Sequence, residues 1–273
     1  MSKNVNATEE LVTLPDRIVI VQNKEFSNSH LVTHGTSTRR GGYSQNEYSS
    51  LNMGLSTGDD ETIVKKNREK IYHSLKVSAP EVVYAQQVHS NRVQVVDEKI
   101  TQSFQKGTIH RIPNTDGLVT CLQKTPLAIL TADCYPIFIL DTKTPAIGLA
   151  HAGWRGTKTK ISQETVKAMI ESFGTKPENC LAWVSVGIGV CCYPVGDEVL
   201  NEFQEEYGSK INMVVDNKVN LSEVNRFQLE QIGIPIQSIF TSSYCTQHNA
   251  DLFYSYRRDG KKSGRLVSVL MLN

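Results

Sequence analysis

The chain has 273 residues, of which 39% are hydrophobic and 21% charged, with a formal net charge of +1. That balance is the one expected of an ordinary soluble globular protein, and it excludes a nucleic-acid partner held by bulk electrostatics. No apolar run approaches the ~18 residues needed to cross a bilayer, so no membrane partner is expected either.

At this length one large domain or two small ones are possible. Residues 1–10 are polar and lack the apolar centre of a secretory signal. Residues 1–16 therefore read as a disordered lead-in, and residues 17–273 as a single catalytic domain, a monomer or small homo-oligomer. The six cysteines, Cys121, Cys134, Cys180, Cys191, Cys192 and Cys245, contain no C-x-x-C pair, and a chain of this size needs no disulfide staples. Adjacent cysteines such as Cys191 and Cys192 bridge each other only under strain. Free thiols in a reducing cytoplasm are expected, with Cys134 set apart by its neighbours.

In chain order, residues 17–22 and 29–33 read as strands, and the second runs into the His/Gly/Ser/Thr/Arg loop HGTSTRRGG at 34–42, whose glycines permit unusual backbone angles. Residues 43–60 stay polar and turn-rich, a long irregular stretch of the kind that more often serves function than decoration. Asp60 then caps a helix to about Leu75, with Ile63, Asn67, Ile71 and Leu75 recurring every four residues. Residues 82–89 and 92–97 are two short strands around His89, residues 103–115 a surface excursion, and Asp116-Gly117 introduces a strand at 118–120. After His151 a helix is expected over 157–173, with Ile161, Val166, Met169, Ile170 and Phe173 inward and Gly174 as its stop. Residues 181–190 read as a strand buried on both faces, 196–207 and 221–232 as amphipathic helices ended by Gly208 and Gly233, and 236–240 and 266–270 as strands. No linker, internal repeat, phosphate loop or dinucleotide fingerprint is present. The grouping of helices predicts a layered α/β or α+β domain with mixed sheets rather than a barrel.

Residues 131–156, TADCYPIFILDTKTPAIGLAHAGWRG, organise the chain. Two apolar runs joined by a Thr-Pro turn form a hairpin that brings Cys134 and His151 to one end of a sheet, as a metal site or a Cys/His nucleophilic pair. His89 also ends a predicted strand. Two imidazoles and one thiolate suit zinc, and three ligands leave a fourth position open, the pattern of catalytic zinc; zinc lowers the pKa of a bound water to about 7. A third ligand is superfluous for a dyad, which tilts the reading of Cys134 towards a bound thiolate. Asp133 is a candidate proton carrier, a partner of a metal-bound histidine, or a strand-end cap. Arg39, Arg155, Arg257, Arg258 and Arg265 are candidates for an anionic ligand, because a guanidinium fork suits phosphate or carboxylate. Trp154 either stacks on a flat ligand or plugs the core.

The segments HGTSTRRGG, QVHS at 87–90, TDGLVT at 115–120, TADCYP, GLAHAGWRGT and GIGVCCYPVG together resemble the YfiH-type family, first described as polyphenol oxidoreductase (laccase) and now regarded as purine nucleoside phosphorylase. The resemblance covers residues 34–265. It implies a single layered domain similar to a CNF-type toxin catalytic domain, with zinc at His89, Cys134 and His151 and copper as the alternative metal. It implies phosphorolysis of adenosine, inosine, guanosine and 5′-methylthioadenosine, and deamination of adenosine. Asp133 and Arg39 are the catalytic candidates, Arg39 for phosphate and Asp133 for protons. His34, Arg39, Asn52, Arg155, Cys245 and Arg257 are the candidates for substrate contact. Two other functions compete. One is a cysteine hydrolase using Cys134 and His151. The other is a copper phenol oxidase, which seven histidines without an H-x-H pair argue against.

Overall fold

The computed structural model describes residues 8–105, 109–207 and 213–273. Its strands in chain order are β1 (Glu9–Thr13), β2 (Val19–Asn23), β3 (Val32–Ser37), β4 (Val83–Ala85), β5 (Val93–Val95), β6 (His110–Ile112), β7 (Gly117–Thr120), β8 (Leu127–Thr131), β9 (Tyr135–Asp141), β10 (Ala146–Ala152), β11 (Cys180–Val184), β12 (Val214–Val215), β13 (Lys218–Val219), β14 (Ile239–Thr241) and β15 (Leu266–Leu272). The helices are α1 (Lys24–Asn28), α2 (Glu61–Ser74), α3 (Glu98–Ser103), α4 (Trp154–Lys158), α5 (Ile161–Phe173), α6 (Asp197–Tyr207), α7 (Leu221–Gln231) and α8 (Tyr256–Asp259).

Two mixed sheets carry the domain, one ordered β1-β2-β3-β15-β8-β4-β6 and the other β14-β11-β9-β10-β7-β5. Strand alternation sorts their side chains into layers. Leu127, Ile129, Leu266 and Leu270 of the first sheet meet Phe138, Leu140, Leu149 and Trp183 of the second in one shared core. Between these positions, Ala128, Val267 and Val269 face outward against Ile71 and Tyr72 of α2. On the far side, Ile137 and Ile139 face Ile161, Val166 and Met169 of α5 and Val224 and Leu229 of α7. The result is a single four-layer α/β/β/α domain, the layered α/β architecture expected. Every residue of β9, β10 and β15 is buried, because these strands are covered on both faces. Among the described residues no helix is long and apolar enough to cross a membrane.

Several local expectations are corrected. The lead-in expected to be disordered holds β1, which pairs antiparallel with β2 from Glu9↔Asn23; Glu9 is anchored because its Oε1 accepts from the Ser243 amide at 2.7 Å and from the Ser242 and Ser243 hydroxyls. Residues 1–7 lie outside the described residues. The expected surface excursion at 103–115 contains β6, an edge strand parallel to β4, too short at three residues to show a pattern; residues 106–108 are outside the description.

The strand expected over 181–190 stops at Val184. A side chain at Gly187 would run into the Tyr135 ring at 2.6 Å, and the Tyr135 hydroxyl donates to the Ile188 carbonyl, so the chain leaves the sheet there. The helix expected over 157–173 is two, α4 and α5, parted by Lys160 at φ 65, and Ile170, expected inward, is 37% exposed. Gly174 ends α5 in the left-handed conformation, as expected. Gly208, expected to end α6, is outside the described residues. Residues 236–238 form a short 3-10 turn, and only Ile239–Thr241 is strand.

The cap on α2 is as expected: Asp60 accepts from the Thr62 and Ile63 amides. Helix α2 also holds the irregular stretch before it. Asn67 donates to the Asn52 carbonyl and the Ser44 hydroxyl and accepts from the Tyr43 amide, and Arg68 donates twice to the Met53 carbonyl.

Candidate metal centre and cleft

Strands β9 and β10 pair antiparallel with His151 opposite Pro136, which places Cys134 and His151 side by side at the open end of the hairpin. His89 arrives from the turn after β4, in the left-handed conformation at φ 61. The ligand atoms of His89, Cys134 and His151 all lie within 4.8 Å of one another, and the two imidazoles meet edge to face with centroids 4.9 Å apart.

One carboxylate builds this arrangement. Asp116, fully buried, accepts from His151 Nδ1 at 2.9 Å, so Nε2 is the nitrogen turned to the site. It also accepts from the amides of Val88, His89 and Ser90 and from the Ser90 hydroxyl. A single side chain thus fixes the orientation of one histidine and the turn that carries the other, the role that outer partners play around metal-binding histidines. The space between the donors is kept open by Gly153: a Cβ there would sit 3.0 Å from Cys134 Sγ and 3.1 Å from His89 Cδ2. Its φ is −78, so glycine is needed for room and not for backbone freedom. Two nitrogens, one sulfur and a guarded void fit a zinc-type ion with an open fourth position.

The electrostatics favour charge separation. Burial pushes the Cys134 thiol up, but the facing His151 and His89 outweigh it and bring it down to about 6. Burial pulls His151 down, and Cys134 together with Asp116 outweighs that, raising it to about 9. Burial likewise opposes ionisation of Asp116, yet the bonds from His151 and Ser90 hold it at about 2. Cys134 and His151 thus each favour the charged form of the other, and a metal bound there would compete with the imidazolium proton. Alkylation of the metal-free protein by iodoacetamide should show Cys134 half-reactive near pH 6, because a lowered pKa populates the nucleophilic thiolate above that pH. Added zinc should suppress the reaction, and Cys180, pushed by burial up to about 12, should stay unlabelled. A Cys134 midpoint as high as that of an ordinary thiol would contradict this pairing.

The three donors open into a cleft of about 620 Å³ at the seam where both sheets end. Its walls include the loop 54–57, Gln87, Arg111, Asp133, Tyr193, Tyr256, Arg257 and Arg265. Register explains Arg265: Leu266 of β15 pairs with Thr131 of β8, so Arg265 stands beside the segment leading to Asp133 and Cys134. Its Nη1 donates to the Ser263 and Gly264 carbonyls, and its Nε and Nη2 have no protein acceptor among the described residues. Arg257 lies over the Tyr193 ring at 4.9 Å and donates to the Pro194 carbonyl. Asp133, at φ 89, accepts from the Thr246 hydroxyl and the Arg257 amide, each at 2.6 Å, so both its oxygens are engaged.

Of the sequence candidates, His89, Cys134, His151, Asp133, Arg257 and Arg265 meet in the cleft; the others do not. Arg39 spends its guanidinium on the carbonyls of Ser49, Ala250 and Glu47 and lies over the Tyr254 ring, so it braces a loop and is not presented to phosphate. His34 is buried against Phe26, Phe138 and Trp183, where burial lowers it to about 4. Asn52 acts one step back: it accepts from the Gly54 and Arg265 amides and donates to Thr57, shaping the wall. Arg155 is exposed and stacks on Trp154 at 4.1 Å; Trp154 packs against the outer core, as a plug. Cys245 accepts from the Gly189 amide behind the wall. Asp116 and Gly153 beside the donors, and Arg111, Tyr193 and Tyr256 in the cleft wall, are positions that sequence reasoning missed.

A four-layer domain with an open cleft above two imidazoles and a thiol defines the class of protein. The chain belongs to the family described as multi-copper polyphenol oxidoreductase laccase, which matches over residues 33–273. It is 34% identical over 248 residues to the Bacillus subtilis protein named purine nucleoside phosphorylase YlmD, covering 89% of each chain. It is 31% identical over 257 residues to adenosine deaminase RL5 from an unknown prokaryotic organism, covering 91% of this chain and 97% of that one. The crystal structure of Bacillus licheniformis hypothetical protein YfiH superposes with a TM-score of 0.84 at 33% identity, over 96% of this chain and 99% of that one. The donor set does not fit the multi-copper part of the family description. Among the described residues two groups of ligand atoms converge, and they take in only His89, His151 and His248 of the seven histidines.

Proposed function

We propose that this chain is a zinc-dependent purine nucleoside phosphorylase that cleaves adenosine, inosine, guanosine and 5′-methylthioadenosine with phosphate and also deaminates adenosine. The observation that carries the reading is the open His89/Cys134/His151 site in one cleft with Arg265. The names of the relatives support the activity. Zinc would be held by His89, Cys134 and His151 and would supply Lewis acidity and a water of lowered pKa.

The protein's own groups do the rest. Arg265 offers Nε and Nη2 to a phosphate, with Arg257 and Arg111 adding positive charge. Tyr193 and Tyr256 provide flat faces for a purine. In phosphorolysis a phosphate oxygen bonds to the ribose C1′ as the C1′–N9 bond breaks, and the electron pair leaves with the purine. Burial raises the Tyr193 phenol to about 12, so it stays protonated and can donate a hydrogen bond to the departing base. Asp133 holds the Arg257 amide and the Thr246 hydroxyl in place and thereby fixes the arginine wall.

The test is release of adenine and ribose 1-phosphate from adenosine and phosphate; full turnover by a metal-free His151→Ala variant would overturn the reading. Loss of one charged hydrogen-bonding partner costs about 1.5–3 kcal/mol, so Arg265→Met should raise KM for phosphate roughly 10- to 100-fold. Arg39→Ala should leave that KM unchanged and lower Tm; the reverse pattern would return the phosphate role to Arg39.

A second reading has a specific observation behind it. Asp116 bonds His151, whose other nitrogen lies within 4.8 Å of the Cys134 sulfur, and the thiol is depressed, the arrangement of a cysteine hydrolase. Chelator separates the two readings, since a cysteine hydrolase would remain active when stripped of metal.

A further inference from the structure

A second group of donors sits behind the cleft wall. Cys191 and Cys192 lie in the 3-10 turn Val190–Cys192 that follows β11, and Cys245 and His248 lie in the turn after β14. The three sulfurs and one imidazole nitrogen all fall within 4.8 Å of one another, with Cys191 Sγ 3.5 Å from His248 Nδ1. We propose that Cys191, Cys192, Cys245 and His248 form a structural metal site for a zinc-type cation, separate from the open site in the cleft.

Four features carry it. The donor set is three sulfurs and one nitrogen, which is a complete tetrahedral shell, and closed four-coordinate shells of this kind are structural sites. Cys245 and His248 have the i, i+3 spacing that lets one turn supply two ligands. The Cys245 sulfur accepts from the Gly189 amide at 3.2 Å, a bond that favours the thiolate form a metal requires. Gly189 also clears the site, since a Cβ there would lie 3.1 Å from Cys191 Sγ and 3.3 Å from Cys245 Cβ.

The site would clasp two loops that reach the cleft. Tyr193 follows Cys192 directly and lines the cleft. Thr246 follows Cys245 and donates to Asp133, and its amide bonds the Gly187 carbonyl, tying the two loops together. A cation there would set the wall that carries Tyr193 and Arg257 without touching substrate.

The experiment counts zinc. The full chain, loaded with zinc and dialysed against metal-free buffer, should release two equivalents on denaturation. Cys134→Ser should retain one equivalent, and so should Cys191→Ser/His248→Ala, whose two positions are exposed and tolerant. With cobalt(II) in place of zinc, Cys134→Ser should keep the strong thiolate-to-cobalt charge-transfer band of three sulfurs, while the double variant should show only the weaker band of one. One equivalent in the unaltered chain and none in Cys134→Ser would overturn the proposal. So would a native disulfide joining Cys245 to Cys191 or Cys192. The count on the unaltered chain stands even if a variant fails to fold.

Discussion

Replacing Asp116 by asparagine should weaken zinc binding about 10- to 100-fold, the usual cost of losing an outer partner of a metal-bound histidine. The carboxylate serves five donors, His151 Nδ1, three amides and a hydroxyl, and an amide side chain must turn an NH2 towards one end of that set. If it faces His151, the proton moves to Nε2 and the nitrogen aimed at the site can no longer bind metal. If it faces Ser90, the turn carrying His89 loses its acceptor, and an unsatisfied buried donor costs about 1–3 kcal/mol. Competition with a chromophoric chelator measures the affinity, and unfolding by urea measures the stability. An unchanged affinity would mean that the strand and turn alone orient the two histidines.

Gly153→Ala should empty the metal site while leaving the fold in place. The backbone there is ordinary for any residue, so the variant should fold, with a stability loss of about 1–3 kcal/mol from overpacking. Its new methyl would stand 3.0 Å from the Cys134 sulfur and 3.1 Å from a His89 ring carbon, and His89, on its turn, is the partner able to give way. A shift of the His89 ring to make room would draw its nitrogen away from the point the three donors share and weaken the site. Zinc retained after dialysis and phosphorolysis should both be lost while the circular dichroism spectrum is kept. Full occupancy in this variant would show that the void is larger than its walls indicate.

The hairpin and its two ligands were legible because alternating and continuous apolar runs announce strands, and a hairpin makes sequence separation equivalent to distance. The layers were legible for the same reason in β8, β9, β10 and β15. Asp116 was not, since its work is done through amides that converge only after folding, and its TDG setting reads as a turn. Arg39 misled because a loop rich in glycine and hydroxyls suggests an anion, whereas the carbonyls of Ser49, Ala250 and Glu47 are its acceptors. Arg265 carries no local signal beyond its charge; what gives it meaning is the pairing of β15 with β8. The group around Cys245 has no C-x-x-C signature, and its donors come from two separate turns that meet only after folding.

The hairpin has one more property, which lies at its far end. Asp141 Oδ1 accepts from the Lys143 and Thr144 amides at 2.9 and 3.0 Å, fixing the tip, and β9 is gripped on its other edge by β11. Because side chains alternate with period two, one residue added within β9 or β10 would reverse the inside and outside of the strand beyond it and carry the thiol or the imidazole to the wrong face. The position of His151 against Cys134 is thus written in the number of residues along the two strands and in their pairing with β7 and β11. Among changes far from the cleft, insertions and deletions within these two strands are the class that the chemistry tolerates least.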